Sequence, residues 1–271
     1  MEVAKELNGT RFTVGPSAMY IDPETQKLRE MDVIGSISFR AKTENLPMNS
    51  DYTLEMHVPI ECKLNDEPWM LLAIEPDEHP IDWINFNVAP VCSYLGQRYF
   101  SFLRSKGVLQ QSKLMQRYSQ LCYGVATCFS KSDIAYKAVK GVTSCSISRA
   151  THVKNRHGND QDEIWASGSL SVPVVVTTSK LFRSYLGSEN EVVIDDIECG
   201  MLKLEAEQNP HSKDLQNAVL ICTKESFADI VLELLELADI LDQNFQEFAH
   251  DQAEGAYTSY IDFMDERDSE F

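Results

Sequence analysis

Glu61 and Lys63, in the stretch "HVPIECKLNDEPW", are residue types that can act together on a charged substrate. Alternate side chains of a strand share a face, so the two point the same way while Val58 and Ile60 point the other. A buried strand avoids both types, because a desolvated charge costs several kcal/mol unless it is paired. Upstream, "LREMDV" holds Glu30 and Asp32, which share a face if Met31 and Val33 turn toward the core. Should the two strands pair with Asp32 opposite Glu61, three carboxylates and one ammonium converge. Carboxylates that close cannot all stay ionised without a cation. A divalent ion resolves the conflict, and oxygen ligands with retained water suit Mg2+ or Mn2+. Lys63 would then orient a metal-bound water as a nucleophile, and a phosphodiester is the matching target. The bland alternative is a same-face ion pair on an exposed edge, worth about 1 kcal/mol at most.

The elements that must position these residues can be read along the 271-residue chain. "EVAKEL" predicts a short helix ending at Asn8-Gly9. Extended segments follow at "RFTVGP", "AMYIDP" and "EMDVIGSISFR", then a strand over residues 52–63 and another at "WMLLAIE". Residues 94–129 carry apolar residues at helical spacing, interrupted near Gly107. A second helix is expected through "SDIAYKAVKGVTSCSIS", with Ser132 as its N-cap. The polar stretch "RATHVKNRHGNDQDE" reads as a loop. "SLSVPVVVTTSKLF" onward predicts a buried strand and an antiparallel pair around "GSEN". A last strand, "NAVLICT", leads to an amphipathic helix over residues 224–250. Strands, then helices, then strands again imply an α/β fold, a central mixed sheet flanked by helices. Residues 1–223 form the α/β domain; residues 224–271 add a long helix and an acidic tail to it, or serve assembly.

Charge is segregated along the chain. The formal net charge is −18, yet residues 83–159 hold eleven cations against the single acid Asp133, a local balance of +10. Within that window Arg98, Arg104, Lys106, Lys113, Arg117, Lys154 and Arg156 are candidate contacts to nucleic-acid phosphates. From Glu225 onward fourteen acids face one base, Arg267. Basic helices pairing with acidic neighbours of the same fold would account for the charge equally well. The long C-terminal helix presents Phe227, Ile230, Val231, Leu234, Leu237, Ile240, Leu241 and Phe245 on one broad face. That face is a candidate contact to a second copy or a protein partner.

The seven cysteines are scattered and form no C-x-x-C pair, which fits reduced thiols rather than a zinc site. No apolar run reaches eighteen residues, and the N-terminus shows no basic-then-apolar leader. A cytoplasmic protein without membrane contact is the expectation.

An acidic residue at the start of one strand, followed by E-x-K at the end of the next, resembles the PD-(D/E)XK nucleases, the restriction-endonuclease-like superfamily. "YIDPETQKLREMDVIGS" and "PIECKLNDEPW" resemble the R-E-x-D and E-C-K-x-x-x-x-P-W segments of uncharacterised bacterial members. "VPVVVTTSKLF" is similar to the strand that follows their central helices. The resemblance implies a restriction-endonuclease-like core and metal-dependent endonuclease hydrolysis of DNA. It also implies Asp32 and Glu61 as metal ligands and Lys63 as the catalytic lysine, with a first-helix glutamate, Glu6 or Glu2, completing the site. Met31 stands where the motif has proline, and the Asp32–Glu61 separation is longer than usual. Asp51 is a rival for the aspartate role.

Overall fold

A computed structural model describes residues 2–43, 51–73, 91–117, 121–128, 133–156, 167–203 and 218–268, with segments 151–156 and 256–268 by backbone alone. Long alternating stretches make the first three strands a meander: β1 (Thr13–Ile21), β2 (Leu28–Lys42) and β3 (Asp51–Lys63), all antiparallel. Helix α1 (Glu2–Asn8) precedes them, and β4 (Trp69–Ala73) and the short β5 (Val91–Cys92) follow.

Helix α2 (Tyr94–Ser105) begins at Ser93, whose hydroxyl accepts the Gly96 N–H. Gly107, at φ 69°, ends the helical run and opens a 3₁₀ turn. After α3 (Lys113–Arg117) the chain becomes strand β6 (Leu121–Thr127), where helical spacing predicted a continuing helix. The correction is tertiary. β6 lies between β4 and a later strand, so its backbone groups pair across the sheet rather than along a helix.

Helix α4 (Ile134–Arg156) is capped by Asp133, whose Oδ1 accepts the Tyr136 N–H at 3.2 Å. The predicted cap, Ser132, lies outside the described residues. The helix also runs through residues 149–156, where a loop was expected. Next come β7 (Ser167–Ser171), β8 (Val174–Thr177), the hairpin β9 (Leu181–Leu186) and β10 (Val192–Ile197), β11 (Cys199–Lys203) and β12 (Ala218–Thr223). Helix α5 (Phe227–Asp268) closes the chain.

The sheet runs β1-β2-β3-β8-β12-β11-β6-β4-β9-β10, with β7 beside the N-terminal half of β3 and β5 beside β7. It is mixed: β3 is antiparallel to β2 but parallel to β7 and β8, and β8 is parallel to β12. Helices cover both sides. One apolar cluster joins α1, α2 and α5 to one face through Leu7, Phe39, Leu54, Ile60, Val174, Leu220, Leu234 and Phe248. The other packs α4 on the opposite face through Ala138, Val139, Val142, Val175, Val219 and Trp69. Among the described residues no helix is long and apolar enough to cross a membrane.

The broad apolar face of α5, expected as a partner surface, is packed inside the molecule. Ile230, Leu234, Leu237, Leu241, Phe245, Phe248 and Ala253 are all buried in the first cluster. Tyr99, on α2, anchors it from below: its ring meets Phe245 edge-on at 5.2 Å and Phe248 at 4.9 Å.

Candidate functional site at the β2–β3 junction

The β2–β3 ladder runs from Lys42 opposite Asp51 to Val33 opposite Ile60 and ends there. Val33 and Met31 fall in the clusters on opposite faces of the sheet, so the alternation expected to set Glu30 and Asp32 on one face does not carry through Asp32. Asp32 is exposed there, and its Oδ2 accepts the Cys62 N–H at 2.7 Å. A carboxylate thus takes a donor that a backbone carbonyl would take farther along the ladder. On its other side β3 pairs with β8, Glu61 opposite Val175 and Lys63 opposite Thr177, so neither charged residue stands on a free edge.

Alternation sends Val58 and Ile60 into the α1–α2–α5 cluster. Glu61 and Lys63 turn the other way, toward α4. A Cβ placed on Gly141 would lie 3.8 Å from Glu61 Oε2, so the bare backbone of α4 leaves room for the carboxylate beneath it. The Tyr20 hydroxyl donates to the Gly141 carbonyl at 3.3 Å, tying β1 to the same turn of α4. Lys63 donates to Glu61 Oε1 in an ion pair whose side chains are 27% and 17% exposed.

The electrostatics follow from that partial burial. Desolvation raises the Glu61 pKa above the usual carboxylate value; Lys63 works against the rise, and the charge of Asp32 adds to it. The intervening Cys62 thiol is pushed up to about 11, chiefly by burial and then by Asp32. Tyr20 rises to about 12, again mainly by burial, with the Cys145, Asp22 and Glu61 charges contributing. Lys63 is the cation paired directly with Glu61, and the Asp32 charge acts on the same carboxylate.

Other sequence-derived candidates lie elsewhere. Glu30 is exposed on β2, opposite Met19 of β1. Glu6 is exposed on α1, a helix whose Leu7 packs in the cluster on the other side of the sheet from α4. Glu2, on the same helix, is paired with Lys224. Asp51 stands opposite Lys42 at the far end of β3, about 30 Å of strand from Glu61. Among the described residues no group of three or more His, Cys, Asp or Glu side chains is arranged to hold a metal ion. Asp32 and Glu61 are a pair of carboxylates completed by an ammonium.

The basic residues divide between the two sides of the sheet. Arg117 grips Glu233 of α5 through two hydrogen bonds of 2.6 Å. Lys106 pairs with Glu247, and the Lys113 backbone N–H donates to Glu236. Arg98 and Arg104 lie over the rings of Tyr94 and Phe100. All five belong to the α2–α3 side, where acidic α5 pairs with the side chains of two of them, Lys106 and Arg117. Lys154 and Arg156 fall on α4, the helix over Glu61, in its part described by backbone alone.

Two features escaped sequence reasoning. Tyr20 and Gly141 meet across 121 positions, a separation at which no spacing rule operates. Ser36, His57 and Glu55 form a line on the Glu61 face of the sheet. Ser36 Oγ is 3.0 Å from His57 Nδ1, and His57 Nε2 is 3.2 Å from Glu55 Oε2. His57 is only 4% exposed, and this line serves to satisfy both nitrogens of a buried imidazole. Comparison of the chain with family models, with curated proteins and with solved structures returns no match.

Proposed function

We propose that this protein is a metal-dependent endonuclease that hydrolyses DNA phosphodiesters at a PD-(D/E)XK-type site of Asp32, Glu61 and Lys63. The observation that supports the reading is the Asp32 carboxylate on the Cys62 N–H, one residue from each member of the Glu61–Lys63 ion pair. The topology supports it further. An α1-β1-β2-β3 meander is followed, after α4, by β8 parallel to β3, giving the order β1-β2-β3-β8 expected of a restriction-endonuclease-like core.

The donor set fits a hard divalent cation. Mg2+ is commonly held by one or two carboxylates and keeps its remaining positions for water and substrate phosphate. Asp32 and Glu61 would supply that pair; burial, and after it the Asp32 charge, raises the Glu61 pKa against the opposing Lys63. Bound there, the ion would polarise the phosphate and supply a hydroxide near neutral pH. The hydrogen bond from the Cys62 N–H would hold Asp32 in place for the ion. Lys63, released from Glu61, would hold the attacking water and face the charge that builds on the phosphate. Lys154 and Arg156, on α4, would grip flanking DNA.

A second reading is a nuclease-like fold that binds or assembles without cutting. It is favoured by the internal closure of Lys63 on Glu61. Purified protein with Mg2+ or Mn2+ should nick plasmid DNA, and Asp32→Ala and Lys63→Ala should not. Wild type and both variants behaving alike would sink the first reading, and titration calorimetry detecting no divalent ion would favour the second.

A further inference from the structure

Cys199 and Cys222 are directly opposite each other in the antiparallel β11–β12 pair. The Thr223 N–H donates to the Glu198 carbonyl at 2.8 Å, which makes 198 and 223 a hydrogen-bonded pair of that ladder. Such pairs alternate with non-bonded ones, so Cys199 and Cys222 occupy a non-bonded position, where Cα atoms approach to about 4.5 Å and side chains are closest. That separation falls inside the range a disulfide spans, about 4.4–6.8 Å. Both side chains lie on the same face, packed in the α1–α2–α5 cluster.

The two thiols differ in access. Cys222 is fully buried, whereas Cys199 is half-buried and lines a surface cavity of about 310 Å³ together with Arg117, Ser226 and Asp229. Arg117 Nη1 donates to Cys199 Sγ at 2.6 Å while its other nitrogens hold Glu233. A guanidinium fixed on the sulfur favours the thiolate, which is the form that attacks an oxidant. Burial keeps the Cys199 pKa above the ordinary thiol value, with the Arg117 charge opposing the rise, so contact with Arg117 and access through the cavity set its reactivity.

We propose that Cys199 is an oxidant-reactive thiol and that Cys222 resolves it, giving a cross-strand disulfide between β11 and β12. In the first step the Cys199 sulfur attacks a hydroperoxide oxygen. An S–O bond forms, the O–O bond breaks, and the departing oxygen leaves as water or alcohol after taking a proton. Cys199 loses two electrons to the peroxide and becomes a sulfenic acid. In the second step the Cys222 sulfur attacks the Cys199 sulfur. An S–S bond forms, the S–O bond breaks, and the hydroxyl leaves as water with the Cys222 proton. Cys62, with β8 between its strand and that of Cys222, is two strand spacings away, about 9–10 Å, too far to compete.

The test treats the folded full chain with hydrogen peroxide, alkylates the remaining thiols in denaturant, and maps the peptides by mass spectrometry. The expected product is one crosslink joining the Cys199 and Cys222 peptides, reversed by dithiothreitol, with the other five cysteines alkylated. In Cys222→Ala, dimedone should label Cys199. Cys199 and Cys222 both remaining alkylatable, or either one linked to a different cysteine, would overturn the proposal.

Discussion

The Asp32 carboxylate accepts the backbone N–H of Cys62 at 2.7 Å, across the end of the β2–β3 ladder. That contact ties the acid of one strand to the residue between the acid and the lysine of the next. It fixes the direction of Asp32 without consuming its second oxygen. On the endonuclease reading, an exposed carboxylate held this way would lose little further ordering entropy on binding a cation.

Asp32→Asn keeps the shape of the side chain but removes its charge. On the endonuclease reading it should lower Mg2+-dependent plasmid nicking by about 10²-fold or more, and Lys63→Met should do the same. Single-turnover nicking assays beside circular dichroism of each variant separate lost chemistry from lost fold.

Divalent ion binding should be visible without any substrate. Millimolar Mg2+ should raise the wild-type melting temperature, since a ligand that binds only the folded state stabilises it. The shift should vanish in Asp32→Asn and in Glu61→Gln. An equal shift in all three proteins would place the ion elsewhere.

Glu61 provides a pH signature. Its folded-state pKa is raised, chiefly by burial, so its contribution to stability is complete below the ordinary carboxylate pKa and is lost as pH climbs through the raised value. Glu61→Gln cannot ionise and escapes that loss. The stability of Glu61→Gln relative to wild type should therefore grow as pH climbs above the ordinary carboxylate pKa, in urea titrations without metal. A constant difference would contradict a carboxylate whose pKa burial has raised.

The Arg117–Glu233 pair joins α3 to α5 with Glu233 mostly covered and Arg117 about a third exposed. Glu233→Ala and Arg117→Ala should each cost about 1–3 kcal/mol, below the range for a fully buried pair because solvent reaches the arginine. The double variant should cost less than the sum, as measured in a denaturant double-mutant cycle.

Gly96 lets α2 sit directly on β7. A Cβ there would come within 2.2 Å of the Ser169 carbonyl oxygen, which is backbone and cannot swing away. Gly96→Ala should cost about 1–3 kcal/mol or more, read from the midpoint of chemical denaturation.

Sequence alone determined the local matters. Alternation predicted the strands that became β2 and β3, and it placed Glu61 and Lys63 on one face with Ile60 on the other. It also determined the amphipathic character of α5 and the hairpin around residues 187–191. Tertiary structure decided what no local period encodes. It turned 121–127 from helix into strand, because a gap between β4 and β11 needed backbone partners. It packed the apolar face of α5 onto its own sheet, and it set Arg117 and Lys106 against α5 rather than around Glu61. It put α1 and its glutamates across the sheet from α4. The physical reason is one of range. Side-chain alternation is a property of neighbouring residues, whereas register, layer and charge pairing arise only when segments a hundred or more positions apart compete for the same surface.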